Sequence, residues 1–301
     1  MEANVKLGRI LGIPIGLHAS WFLIFGLVTW SLAAAYFPPE YPGLPVIAYW
    51  GLGAVTSLLF FASVLVHELG HSVVALRNEI PVRGITLFVF GGVAQIAREP
   101  RTPGAEFRIA IAGPLTSLGL GLGFGALWLL DRAIPYLAAP SLWLMRINLI
   151  LAAFNMIPGF PLDGGRVLRA AVWRLTNSFY RATQVAAFSG QVVAVGFIGL
   201  GVFLMFGGNL FNGLWLILIG WFLQNAAGSS LAQVHTQKLL RGVRTGQVMA
   251  RDCARVSGEL SLQQLVDEQI LGGAGRCFLV EEGGRLHGLL TLRDVTQVPP
   301  T

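Results

Sequence analysis

Long apolar segments constrain the fold of this chain more than any other feature of its sequence. Of its residues, 54% are hydrophobic and only 12% are charged, and the mean hydropathy is +0.66. A helix of about 20 apolar residues is long enough to cross a bilayer. The sequence holds six such segments, at residues 18–37, 46–76, 109–130, 142–160, 182–206 and 210–223, the last continuing toward residue 240. It therefore predicts a helical membrane protein that crosses the bilayer six times.

Basic residues are distributed unevenly between the loops on the two sides of these segments. They cluster before the first segment and after the second, fourth and sixth, at Lys6, Arg9, Arg77, Arg83, Arg98, Arg101, Arg108, Arg166, Arg169, Arg174, Arg181, Lys238, Arg241 and Arg244. Because loops rich in Lys and Arg stay in the cytoplasm, we expect a multi-pass protein of the cell membrane with both termini cytoplasmic. The same bias explains the net charge of +6, so nucleic acid is not an expected partner.

Two histidines and a glutamate interrupt the second apolar segment in the order His67-Glu68-Leu69-Gly70-His71. In a helix, residues four apart lie on one face, so both imidazoles point the same way. This spacing suits two ligands of one Zn²⁺, with Glu68 placed to act on a metal-bound water. Because charge at membrane depth is costly, a carboxylate beside two histidines there indicates a functional site.

The fourth apolar segment ends in a run that should break a helix, Asn155-Met-Ile-Pro-Gly-Phe-Pro-Leu-Asp163-Gly-Gly-Arg166. Irregular backbone at membrane depth is tolerated where it is buried in protein or lines a wet cavity. Asp163 lies on this break and is placed to reach across as a third zinc ligand, which leaves the fourth position for water. Asn155 either satisfies backbone groups freed by Pro158 or contacts substrate.

Glu68 and Asp163 also stand apart from the other carboxylates that precede residue 241. The remaining six fall in predicted loops or near the N-terminus: Glu2, Glu40, Glu79, Glu99, Glu106 and Asp131. The two that remain, Glu68 and Asp163, belong to the two motifs described above.

The segment 81–99 is predicted to be a β-hairpin rather than a span. Gly84-Ile-Thr-Leu-Phe-Val-Phe90 is rich in β-branched and aromatic residues, and Val93-Ala-Gln-Ile-Ala97 follows after Gly91-Gly92. Two such runs around a Gly-Gly pair are typical of a hairpin. On these residues alone, an ordinary cytoplasmic hairpin and a hairpin associated with the membrane both remain open.

A compositional boundary near Arg241 divides the chain into residues 1–240 and 241–301. The second part carries seven arginines and seven acidic residues and holds both cysteines, Cys253 and Cys277. We therefore expect a small soluble domain in the cytoplasm after the membrane domain. Two cysteines give no disulfide framework and fit a reducing cytoplasm, so a disulfide is not expected.

At these motifs the chain resembles the site-2 protease family of intramembrane zinc metalloproteases. The matching residues are those from His67 to His71, Phe90-Gly91-Gly92-Val93, Ala112-Gly113-Pro114, and Asn155 to Arg166 with its Leu162-Asp163-Gly164. The resemblance covers residues 10–240 and implies an endopeptidase that holds one Zn²⁺ per chain at His67, His71 and Asp163, with Glu68 as the catalytic proton acceptor. It implies the transmembrane segments of other proteins as substrates, and a hairpin that dips into the lipid bilayer beside the active site.

The tail resembles a single CBS motif of α/β type. Cys277-Phe-Leu-Val280 and Leu286-His-Gly-Leu-Leu-Thr291 are predicted strands, and Gly288 to Asp294 matches the pattern G-x-x-T-x-x-D. In CBS pairs this pattern contacts the phosphate and ribose of adenine nucleotides, which implies Thr291 and Asp294 as nucleotide-binding residues. CBS motifs normally work in tandem, so either the sequence is truncated or two chains pair their motifs as a homodimer. A purely structural dimerisation module is the alternative.

Two other functions are consistent with parts of the sequence. A metal transporter gated by the CBS motif would need polar groups repeated along a path, and outside the two motifs the predicted spans are nearly free of charge. A pseudoprotease would bind transmembrane helices without cutting them, but Glu68 and the full set of candidate ligands argue against it. The sequence therefore favours regulated proteolysis within the membrane, with adenine nucleotide as a regulator through the tail.

Overall fold

A computed structural model of the protein describes residues 4–89, 91–131, 133–240, 244–249, 253–271, 273 and 277–297. Phe90 of the predicted hairpin and Arg241 at the predicted boundary lie outside the described residues. The chain divides into two compact units, Met1–Gln237 and Lys238–Thr301.

Long apolar helices form most of the first unit. They are α1 and α2 (Ser20–Ser31 and Phe37–Glu40, joined by the π-helical turn Leu32–Tyr36), α3 (Val46–Arg77), α4 (Pro103–Leu130), α5 (Pro135–Asn155), α6 (Asp163–Thr176), α7 (Phe179–Phe206) and α8 (Leu210–Leu240). Within the described residues, six helical stretches are long and apolar enough to cross a membrane: the continuous α1–α2 stretch, α3, α4, α5, α7 and the Leu210–Thr236 part of α8. The predicted number of membrane helices is therefore confirmed.

The start of α4 differs from the prediction. The helix begins at Pro103 because Thr102 caps it: the Thr102 hydroxyl accepts a hydrogen bond from the Ala105 N–H at 3.2 Å, and proline suits the first helical position. Glu106 is therefore a helical residue and fully buried, so its predicted place in a loop is wrong. The sequence pattern missed this turn because it carries polar residues and precedes the apolar run.

The fourth predicted segment is displaced toward its N-terminal end in the structure. α5 starts at Pro135, where proline occupies the first turn and costs no hydrogen bond, and ends at Asn155. Residues 156–162 are irregular, and α6 begins at Asp163. The break predicted around Pro158 is therefore present, and it separates a membrane helix from a short amphipathic one.

α4 is the common packing partner of α3, α5 and α6. Small buried residues recur along it at every fourth position, at Gly113, Ser117, Gly121 and Gly125. Small side chains let helix backbones approach closely in a membrane. α4 thus contacts both α3, which carries the pentad, and α6, which starts at Asp163.

The predicted hairpin is present as β3 (Val82–Phe88) and β4 (Gly91–Ile96), which pair antiparallel. It belongs to a larger sheet that the sequence does not predict, ordered β1-β2-β3-β4. The additional strands are β1 (Val5–Ile10) and β2 (Ile13–Leu17), and β2 pairs with β3 in parallel. In this order β4 is an edge strand.

The second unit contains a three-stranded sheet flanked by short helices. Its elements are α9 (Thr245–Val248), β5 (Ala254–Ser257), α10 (Leu262–Gln264, continued by the π-helical turn Leu265–Ile270), β6 (Cys277–Glu282), β7 (Arg285–Thr291) and α11 (Leu292–Thr296). β5 pairs with β6 in parallel, and β6 pairs with β7 antiparallel. Leu265 and Phe278 are buried in its small core.

A disulfide joins Cys253 and Cys277, with their Cα atoms 5.1 Å apart, so the expectation of no disulfide is wrong. The cause is strand pairing: Ala254 is the register partner of Phe278 in the parallel pair β5–β6. Cys253 and Cys277, which directly precede this pair, are therefore neighbours. The register of two strands distant in sequence cannot be inferred from cysteine spacing.

Candidate active site

Three side chains from two helices meet at one point in the first unit. The Nε2 atoms of His67 and His71 lie 3.2 and 3.0 Å from Asp163 Oδ2, and 3.3 Å from each other. Tetrahedral zinc with ligand bonds of about 2.0 Å keeps its ligand atoms about 3.3 Å apart. The three atoms therefore surround a point that a zinc ion fits, and both histidines are only 4% exposed.

The second ring nitrogen of each histidine is held by α4. His71 Nδ1–H donates to the Ile109 carbonyl at 2.6 Å, and His67 Nδ1 lies 2.8 Å from the Ser117 hydroxyl. Such bonds fix the ring orientation and direct the Nε2 lone pair at a metal. Neither partner was predicted from the sequence. Ser117 could have been suspected because it is a hydroxyl in an apolar helix, whereas nothing in the sequence indicates which backbone carbonyl His71 contacts.

Gly113 of α4 makes room for the two imidazoles. A Cβ atom at this position would overlap the Nε2 atoms of both His67 and His71. The absence of a side chain therefore lets the α4 backbone pass directly beside the candidate ligands. The sequence Ala112-Gly113-Pro114 predicts no such contact without the fold.

Asp163 is presented by the first turn of α6, after the irregular segment 156–162. That segment packs on α7: the Phe160 N–H donates to the Ala186 carbonyl at 3.1 Å, and the Ser189 hydroxyl donates to the Pro158 carbonyl. Broken backbone is tolerated at membrane depth when it is satisfied within the protein in this way. The break places a carboxylate where a continuous helix would not have brought it.

Glu68 contacts the hairpin and lines the same cavity as the three candidate ligands. Its Oε2 accepts a hydrogen bond from the Ala94 N–H at 3.2 Å, and a Cβ at Gly92 would contact its side chain. Because Ala94 belongs to β4, this edge strand lies directly beside the pentad. The carboxylate is therefore oriented by a backbone group of a strand that is not its neighbour in sequence.

A cavity of about 560 Å³ opens over these residues. Its walls include His67, Glu68, His71, Asn155 and Asp163, with mainly apolar side chains from α1, α3, α5 and α8. Asn155 ends α5, and its Nδ2 donates to the Leu151 carbonyl of the same helix at 3.1 Å. The cavity is thus polar at the candidate ligands and apolar around them.

The two candidate nucleotide residues of the tail bond to each other. The backbone N–H and the hydroxyl of Thr291 donate to Asp294 Oδ2, at 2.9 and 2.6 Å, and cap the start of α11. Hydrogen bonding by the Thr291 hydroxyl and backbone lowers the pKa of the Asp294 carboxyl. Asp294 is exposed and therefore accessible to a ligand.

Comparison with known proteins gives consistent matches across the chain. The family model described as peptidase family M50 matches residues 55–132 and 132–198. Rip3 of Mycobacterium tuberculosis is 39% identical over 100% of this chain and 77% of its own length. The zinc metalloprotease MJ0392 of Methanocaldococcus jannaschii is 30% identical over 98% of this chain and 80% of that relative.

A solved structure agrees with these sequence matches. The site-2 protease from Methanocaldococcus jannaschii superposes with a TM-score of 0.52 and 33% identity, covering 75% of this chain and 94% of that one. The expected family, the metalloprotease activity and the multi-pass membrane architecture are therefore confirmed. This chain belongs to peptidase family M50, the site-2 proteases, and is a zinc metalloprotease of the membrane.

Proposed function

We propose that this protein hydrolyses peptide bonds within or near the transmembrane segments of other membrane proteins. The observation that carries the proposal is the meeting of His67, His71 and Asp163 at one point under a largely apolar cavity. Catalytic zinc sites have three protein ligands and one open position, and this set has that number. We assign these three residues as the zinc ligands and Glu68 as the catalytic acid–base.

Bound zinc supplies Lewis-acid chemistry, because it lowers the pKa of water and polarises a peptide carbonyl. Glu68 accepts a proton from the attacking water and returns it to the leaving amine. The Ala94 N–H holds Oε2 of Glu68, which leaves Oε1 for the proton. Ser117 and the Ile109 carbonyl keep both imidazoles turned toward the same point.

A substrate helix must unwind before it can be cut, because its carbonyls are occupied by bonds between residues i and i−4. β4 offers a partner for the unwound segment. An edge strand presents unpaired N–H and C=O groups, to which an extended peptide can add. β4 lines the cavity with Gly92 and Ala94, which supports strand addition beside Glu68. Asn155, which also lines the cavity, is a further candidate substrate contact.

We assign both termini to the cytoplasm, which places the pentad in the cytoplasmic half of α3. The asymmetry of Lys and Arg between the loops supports this orientation. The hairpin β3–β4 then enters the membrane from the cytoplasmic side beside the cavity.

We assign residues 1–240 as the protease domain and residues 241–301 as a single CBS motif. β6, β7 and α11 follow the order expected of such a motif, and the exposed Asp294 supports a contact with adenine nucleotide. One motif supplies half of a CBS pair, and a second copy of this chain, in a homodimer, is one source of the other half.

The test uses cells that lack this protein, complemented with the wild type or with Glu68→Gln. The amide cannot accept the proton, so only the wild type should restore cuts within membrane segments, read as new peptide termini by mass spectrometry. The variant should accumulate the uncut protein while retaining zinc when purified. If neither protein restores cuts, the chain binds transmembrane helices without cutting them; if both restore them, Glu68 is not the catalytic acid–base.

A further inference from the structure

A buried ion pair lies beside the active site and takes no part in the proposed chemistry. The side chain of Glu106, in the first turn of α4, is fully buried. Its Oε1 accepts hydrogen bonds from Nη2 and Nε of Arg169 at 2.5 and 3.2 Å, and from Nε of Arg166 at 3.4 Å. Both arginines belong to α6. A buried carboxylate is costly unless it is paired and hydrogen-bonded, so this contact fastens α6 to α4.

Arg169 is enclosed on its other sides as well. Its Nη2 also donates to Glu99, which follows β4, at 3.1 Å. Its guanidinium lies 5.1 Å from the ring centre of Phe160 and 4.7 Å from that of Phe179. A planar guanidinium can hydrogen-bond in its plane while aromatic rings cover its faces. Arg169 therefore joins α6 to α4, to the segment after β4, to the break and to α7.

The position of this cluster within the fold connects it to the candidate ligands. Asp163 begins α6, and residues at intervals of three or four lie on one helix face, so Arg166 follows Asp163 on the face turned toward α4. α4 holds His71 through the Ile109 carbonyl, one turn after Glu106. α4 is therefore the common support: Ile109 and Ser117 orient the histidines, and Glu106 holds the helix that presents Asp163.

We infer that Glu106 and Arg169 are positioning residues that set the distance between Asp163 and the two histidines. Neither residue contacts a reacting atom. The inference rests on the proposed role of Asp163 as the third zinc ligand. With the pair broken, α6 is free to shift on α4, and the third ligand no longer matches the tetrahedral spacing. Groups that support metal ligands from outside the coordination shell influence metal affinity in this way.

A purely structural role makes a different prediction. If the pair only stabilises the fold, its loss lowers the melting temperature of the zinc-free protein but leaves the zinc affinity of the folded fraction unchanged. A positioning role weakens zinc binding in protein that is still folded. Zinc affinity and zinc-free stability are therefore measured on the same samples.

The experiment uses the purified full chain in detergent, as wild type, Glu106→Gln, Arg169→Gln, Arg169→Lys and Asp163→Ala. Arg174→Gln is the matched control, because Arg174 is an exposed arginine on the same helix. Zinc dissociation constants are measured by competition with a chelator on the monodisperse fraction. We expect Glu106→Gln and Arg169→Gln to weaken zinc binding by about 10-fold, the lower end of effects known for supporting residues. Arg169→Lys should recover part of the loss, and Arg174→Gln should match the wild type.

Wild-type zinc affinity in both Glu106→Gln and Arg169→Gln would overturn the inference, provided that Asp163→Ala loses zinc. If Asp163→Ala itself keeps wild-type affinity, the assignment of the ligand fails instead, so the two failures are distinguishable. If the neutral variants do not fold, Arg169→Lys and Glu99→Gln carry the test. Glu99 is a half-exposed partner of Arg169, so its loss is mild. Unchanged zinc affinity in both of these folded variants overturns the inference equally.

Discussion

At the residue scale, hydrogen bonds from α4 hold the two candidate histidine ligands in place. His67 and His71 each use one nitrogen toward the shared point and the other toward α4. Loss of a supporting group of this kind typically costs 10–100-fold in metal affinity. The properties of the site therefore depend on α4 as well as on the motif that carries the histidines.

Gly113→Ala tests how closely α4 must approach the histidines. The added methyl group overlaps both imidazoles, so we expect the variant to lose zinc and cleavage together. Gly119→Ala is the control on the same helix, because a Cβ there meets no other atom within 4 Å. Elemental analysis of the two purified variants checks this, and stoichiometric zinc in Gly113→Ala would contradict the close approach.

The candidate ligands could be predicted from the sequence, whereas their supports could not. The i, i+4 spacing of His67 and His71 is visible in the local sequence, and Asp163 is recognisable as a carboxylate at the interruption of an apolar helix. The contacts of Ser117, Ile109 and Ala94 depend on how distant segments pack. The polar turn around Glu106 predicts a loop, although Thr102 and Pro103 carry the signals of a helix start.

At the element scale, β4 connects the candidate base to the proposed path of the substrate. Its Val93 is paired with Thr86 of β3, whereas the Ala94 N–H points away from β3 toward Glu68. Because alternate residues face the same edge, the N–H of Ile96 also points outward. Because Glu68 takes the Ala94 N–H, the outward N–H of Ile96 is the group that an added substrate strand would use.

Ile96→Pro should slow cleavage without releasing zinc. Proline removes an outward N–H and is tolerated on an edge strand, so the sheet should persist. Loss of one hydrogen bond of about 1 kcal/mol corresponds to roughly a five-fold lower rate at limiting substrate. Ile96→Ala is the control, since it shortens the same side chain but keeps the N–H. Equal rates for the two variants would argue against strand addition at this edge.

Removing the disulfide should destabilise the second unit. Cys253 and Cys277 are 24 residues apart, and a crosslink over a loop of that length contributes about 3 kcal/mol. In the full chain, the double change Cys253→Ser and Cys277→Ser should speed amide hydrogen exchange in β5–β7, and a reductant should have the same effect on the wild type. Exchange that is identical in all samples would mean that the bond does not constrain this unit.

The hairpin and the number of membrane helices follow from local patterns, but the larger sheet does not. β2 pairs with β3 in parallel although α1 and α3 lie between them in the sequence, and no sequence periodicity indicates such a contact. The disulfide cannot be predicted from the sequence for the same reason, because it depends on the register of β5 and β6. Helices and hairpins are thus predictable from residues that are close in sequence, whereas the pairing of strands distant in sequence is not.

At the scale of the whole molecule, the chain combines a membrane protease with a charged tail that follows the sixth span. The tail holds neither the pentad nor any of the candidate ligands, so we expect it to regulate rather than to catalyse. A nucleotide can shift activity only if it binds one arrangement of the tails better than another.

A chain that ends at residue 240 should still cleave substrate. ATP or AMP should change the cleavage rate of the full chain and leave that of the shortened chain unaffected. Asp294→Ala in the full chain should abolish the nucleotide effect, because it removes the carboxylate expected to contact the ligand. An identical rate with and without nucleotide in the full chain, together with no binding by calorimetry, would leave the tail as a dimerisation element.

The zinc content of the purified protein tests the central claim most directly. Elemental analysis should find one zinc per chain in the wild type and in Glu68→Gln, because the proposed base is not a ligand. His67→Ala and Asp163→Ala should each lose the metal, since a catalytic zinc site needs three protein ligands and each change leaves two. Stoichiometric zinc that persists in both of these variants would contradict the assignment of the site.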